Sequence, residues 1–100
     1  MSEQQLLSII VPIDLRDDMV DVLAGCDMVS GFNMSSIAGY SREHSQYDLR
    51  ELVEGYRALC QFDVIHQQVH QVELLAQLQQ AFVSTSIRYW ITPIREQGHL

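Results

Sequence analysis

Residues 56–68 read YRALCQFDVIHQQ. Ala58, Cys60, Phe62, Val64 and His66 fall on one side of this run, and Leu59, Gln61, Asp63, Ile65 and Gln67 on the other, a period of two that marks a strand. A matching partner lies upstream at 31–41, GFNMSSIAGYS, with Phe32, Met34, Ser36, Ala38 and Tyr40 on one face. The two runs predict a hairpin of long strands. Their connection, about 41–55, reads SREHSQYDLRELVEG, far longer than the roughly 2–5 residues a hairpin normally takes, and connections of that length usually carry function. The plain structural alternative is that Tyr47, Leu49, Leu52 and Val53 fold a helical turn onto a neighbouring subunit, with Arg42 and Glu43 solvated.

Outward from the hairpin, QLLSIIVP at 5–12 is a short apolar run ended by Pro12, which suits a buried strand. Asp14 then offers a helix cap, Asp17 and Asp18 place acid in the first turn, and Leu15, Met19, Val22 and Leu23 recur at helical spacing before Gly25. The first helix is expected over 14–24. After the hairpin, Val72, Leu75, Leu78, Ala81 and Phe82 predict a second helix over 70–83, and IRYWITPI at 87–94 a closing strand. The order β-α-β-β-α-β is that of an α+β, ferredoxin-like domain, a four-stranded antiparallel sheet with both helices on one face.

One hundred residues fit a single domain, 1–100, with one modest core. The first, third and last strands carry apolar residues on both faces, whereas a monomeric antiparallel sheet leaves one face polar; a partner subunit is therefore expected to bury it. Thirteen acids stand against six basic residues, all arginine, for a net charge of -7. Nucleic acid is disfavoured, because phosphate backbones bind through clustered Lys and Arg. No apolar run reaches the roughly 20 residues of a membrane helix, and acid rather than base precedes the first apolar run, unlike a signal peptide. The expected location is cytoplasmic. Cys26 and Cys60 form no CxxC and read as reduced structural residues, Cys60 facing the core.

Chemistry is sparsely signalled. Ser35, Ser36, Asp63 and the histidines form no GxSxG-type motif, and Asp14, Asp17 and Asp18 read as capping and solvation, so no enzyme is expected. For metal, His44, His66 and His70 are the candidates. His66 and His70 are four apart, but they straddle a strand end and a helix start, where that spacing loses its helical meaning. Cys26 and Met28 add donors without a constellation, and the bland expectation is exposed polar histidines.

Gly39, ELVEGY at 51–56 and above all RYWITPIREQGHL at 88–100 resemble a small bacterial branch of the PII-like and CutA-like superfamily, with similarity from the first strand to the C-terminus. That resemblance implies a ferredoxin-like domain in a homotrimer whose sheets face the three-fold axis, and a regulatory or signalling role of the nitrogen-regulator type. It makes 41–55 the counterpart of the T-loop, through which PII proteins contact protein partners and enclose ligand between subunits. The candidate ligand-binding residues are then Gly39, Arg42, His44, Gly55, Arg57, Arg88 and Trp90, although ion pairing is the commoner fate of such arginines and Trp90 reads first as interface core. The turn after the second helix, FVSTSIRYW at 82–90, has no glycine or lysine, so the usual phosphate cradle is missing and no cofactor is named. The branch also implies a link to heavy-metal efflux. The alternative function is accordingly a metal-binding accessory for copper, zinc or a similar ion.

Overall fold

The computed structural model describes residues 3–40, 56–83 and 86–100. The first apolar run extends as β1 (Gln4–Pro12), because β-branched and leucine side chains there pack on both faces of a central strand. Pro12, at φ -58 and ψ 148, turns the chain into a 3-10 turn, Ile13–Leu15, and the helix proper, α1 (Arg16–Ala24), starts only after it. The expected cap at Asp14 is thus corrected. Leu15 occupies the cap position and no side chain caps the helix, since the 3-10 turn already holds Asp14 inside it. Gly25 ends the helix as expected, its N–H donating to the Asp21 carbonyl at 3.1 Å.

The hairpin is β2 (Val29–Gly39) and β3 (Arg57–Gln67). β2 begins two residues before its expected start, because a bulge lies between Val29 and Gly31. The bulge resets the alternation, so Val29, opposite His66, and Phe32, opposite Val64, both face the helices. A second 3-10 turn, Gln68–His70, leads into α2 (Gln71–Ala81), and β4 (Arg88–Pro93) closes the sheet. The strand order is β2-β3-β1-β4 and every pairing is antiparallel, the ferredoxin-like α+β arrangement. Past β4, Ile94 donates its N–H to Gln4 at 3.0 Å and the Gln97 amide reaches the Gln4 side chain.

Leu7, Ile9 and Val11 of β1 and Cys60, Phe62 and Val64 of β3 meet Met19 and Leu23 of α1 and Leu74 of α2 in one buried core. Each large side chain there contributes about 1.5–3 kcal/mol through burial. Phe32 stacks beside Phe62, centroids 6.2 Å apart, where the two strands run side by side. Among the described residues no helix is long and apolar enough to cross a membrane.

Candidate functional site

Cross-strand partners share a face of a sheet, so the register places the residues of the face turned away from the helices. One row runs Trp90, Ser8, Asp63, Asn33; the next runs Arg88, Ile10, Gln61, Ser35; beyond the end of β4, Leu59 faces Ile37 and Arg57 faces Gly39. Leu6 and Ile65 flank the first row. This open face is therefore apolar at Leu6, Ile10, Ile37, Leu59, Ile65 and Trp90, with polar groups set into it.

The polar centre is a small network. The Ser8 hydroxyl donates to Asp63 Oδ1 at 2.9 Å and the Gln61 amide donates to the same oxygen at 3.1 Å. Ser8 is 3% exposed, so its hydroxyl would be costly to leave unmade, and the carboxylate gains two charge-assisted bonds. Ser8 interrupts an otherwise apolar run, the one sequence signal that could have located the network. Among the described residues no imidazole bonds to Ser8, so the network shows no activated nucleophile.

On β4 the Arg88 guanidinium lies 5.9 Å from the Trp90 ring centre, within the roughly 6 Å at which a cation is attracted to an aromatic face. At the far end of the hairpin, Gly39 stands opposite Arg57 and the rings of Tyr40 and Tyr56 pair at 6.1 Å. Glycine suits a close approach at 39: a Cβ there would collide with Leu59 Cδ1 and come 3.4 Å from its Cγ, so the end of Leu59 would have to shift. Gly39 and Arg57 are thereby brought together where the long connection leaves and re-enters the sheet. Arg88 and Trp90 form a second group on the same face, four residues along and two strands across from Arg57, roughly 16 Å by strand spacing. Arg42, His44 and Gly55 lie outside the described residues.

The histidines differ from expectation. His66 is fully buried and His70 half-buried, not exposed. The alternation of β3 puts His66 in the Phe62 and Val64 row, directly beneath the helix layer. Its Nδ1 lies 3.0 Å from the Gln67 carbonyl, which assigns the proton to Nδ1 and leaves Nε2 an acceptor. That Nε2, the His70 Nδ1 and the Oε1 of Gln5, the cross-strand neighbour of His66, are buried with no hydrogen-bond partner among the described residues. Three orphaned polar atoms near one corner of the sheet fit a bridging polar occupant. A complete metal set is not assembled: among the described residues no three His, Cys, Asp or Glu side chains group to hold an ion. Cys26 instead donates to Gln77 at 3.5 Å, and Met28 packs against the core.

With this geometry in place, the chain compares with known proteins as follows. The family described as "Protein of unknown function (DUF3240)" matches residues 1–100. A crystal structure of a DUF3240 family protein from Shewanella baltica OS155 is 38% identical, covering 100% of this chain and 99% of that one, with a TM-score of 0.80. A nitrogen regulatory PII-like protein from Thiomonas intermedia K12, CPII, solved with ADP, AMP and bicarbonate, is 16% identical over 98% of this chain and 97% of its own, with a TM-score of 0.71. A Bacillus cereus protein related to NIF3 is 13% identical and also scores 0.71, over 98% of this chain and 27% of that chain. No curated protein sequence matches. The latter two likenesses are of fold alone, and the match to CPII shows that the chain shares the fold of a PII-like protein.

Proposed function

We propose that this chain, which belongs to the DUF3240 family, is a trimeric PII-like regulatory protein that acts by binding a small ligand or a protein partner rather than by catalysis. One observation carries the reading: the sheet face turned away from the helices holds both half-buried apolar residues that a neighbouring copy would cover, Leu6, Leu59 and Ile65, and the candidate binding side chains Arg57, Arg88 and Trp90. If copies of the chain cover that face, Leu6, Leu59, Ile65 and Trp90 enter the interface. On this reading the Gly39 and Arg57 end of the hairpin meets the Arg88 and Trp90 group of another copy. An anion with a planar ring suits a guanidinium pair and an indole.

CPII was solved with ADP, AMP and bicarbonate, which makes an adenine nucleotide and bicarbonate the first compounds to try. The missing glycine and lysine after α2 argue against phosphate cradling of the ATP-sensing kind. The test is native mass spectrometry of the purified protein with ADP, AMP and bicarbonate. The account expects a trimer that takes up an anion, with Arg88→Ala losing it. A bare trimer under every condition removes the ligand and leaves a constitutive adaptor, which acts through 41–55 alone.

The orphaned atoms of Gln5, His66 and His70 favour a second reading, a metal-binding accessory in keeping with the efflux link that the family resemblance implies. Copper or zinc titrated into wild type and into a His66→Ala, His70→Ala double variant separates the two. Uptake by wild type alone supports metal binding. Equal behaviour of both proteins removes it.

A further inference from the structure

The helix side of the sheet holds a cavity of about 220 Å³ between α2, β1 and β4. Its floor is Leu7, Ile9 and Met19, all buried core residues. One wall comes from the inward stripe of α2, where Leu75 and Leu78 remain only half-buried although Leu74, one turn earlier in the same stripe, is fully buried. The other wall is Tyr89, opposite Ile9 and hence on the helix side, yet 50% exposed. The C-terminal half of α2 and the edge strand β4 thus stand apart at positions whose side chains point toward each other.

The recess opens to solvent beside Tyr89, but its apolar lining gives water few partners and suits an apolar ring, as an enclosed apolar cavity of about 150 Å³ accepts benzene. Among the described residues the polar side chains in the lining are Gln79 and Tyr89, both exposed and hence toward the solvent side.

We propose that this cavity is a binding site for a small, mainly apolar molecule of one ring with a short polar substituent, of the phenol class, held with its ring on Leu7, Ile9 and Met19 and its polar group toward Gln79 and Tyr89. The site lies on the opposite side of the sheet from Arg88 and Trp90, so it goes beyond the anion reading and does not depend on it. Volume sets the ring count and the lining sets the polarity. A molecule carrying a full charge is disfavoured, since among the described residues no charged side chain lines the cavity to pair with it.

The probes are 4-fluorophenol and fluorobenzene, observed by fluorine NMR with the full chain in its native assembly. Saturable broadening or shift is expected for both, with 4-fluorophenol bound roughly fivefold more tightly through one added hydrogen bond. Leu78→Trp, which fills the cavity, should abolish the effect while circular dichroism stays native; should it fail to fold, Leu75→Phe, a smaller filling change, should weaken binding at least tenfold. Either probe passing the wild-type protein without saturable change overturns the site. So does undiminished binding to a folded filled variant, or a preference for fluorobenzene.

Discussion

Replacing Trp90 with alanine tests the cover over the open face most sharply. In the single chain Trp90 is 42% exposed, so on a side chain whose burial runs to about 250 Å² roughly 100 Å² is left for a neighbour to cover. At about 25 cal/mol per Å² this is worth roughly 2.5 kcal/mol per subunit, nearly two decades of association at each contact. Sedimentation velocity over a dilution series reads the effect. Trp90→Ala should dissociate at concentrations where wild type stays assembled, with its far-ultraviolet circular dichroism preserved. Val72→Ala, on the outer side of α2 and 81% exposed, should assemble as wild type does. Identical assembly of Trp90→Ala and wild type through the whole series would refute the argument that the open face is covered.

Gly39→Ala should destabilise by about 1 kcal/mol in urea unfolding, the low end of overpacking costs because the Leu59 end can shift, and adding Leu59→Ala should remove most of that coupling in a double-mutant cycle. Ser8→Ala should cost about 1.5–3 kcal/mol by the same measurement, since the Asp63 carboxylate loses a charge-assisted donor at a nearly buried position. Phe62→Ala, at the centre of the core and fully buried, should cost about 3–5 kcal/mol, read as a lower urea midpoint. His66→Leu should cost no more than about 1.5 kcal/mol in metal-free buffer, because losing the Nδ1 bond to the Gln67 carbonyl is offset by removing an orphaned buried acceptor; a loss above about 3 kcal/mol, more than that one bond is worth, would show that its Nε2 has a partner.

The strands were legible because β1 and β3 are central: β1 reads as an apolar run broken only by Ser8, and β3 as a two-residue period. β2 was less so at its start. The bulge between Val29 and Gly31 puts Val29 and Phe32 on one face at a spacing that defeats alternation. Asp14 looked like a cap because acids precede a helical pattern, but Pro12 commits the chain to a 3-10 turn first. His66 was misplaced for a different reason. Its alternation with Phe62 and Val64 already put it in the core row, and only its polarity argued for exposure.

The site was half visible. Residue types marked Arg57, Arg88 and Trp90, whereas their common face and the separation of the two groups depend on register, which pairs residues far apart in sequence. The Ser8, Asp63 and Gln61 network arises the same way, from the Ser8 and Asp63 pairing. The cavity beneath α2 leaves no trace in sequence, because it follows from how closely a helix end approaches an edge strand.

Native mass spectrometry of gently purified protein tests the covered face most directly. A trimer of the 11.5 kDa chain is expected. A monomer at the same concentration would contradict it, for the apolar open face would then be left to water.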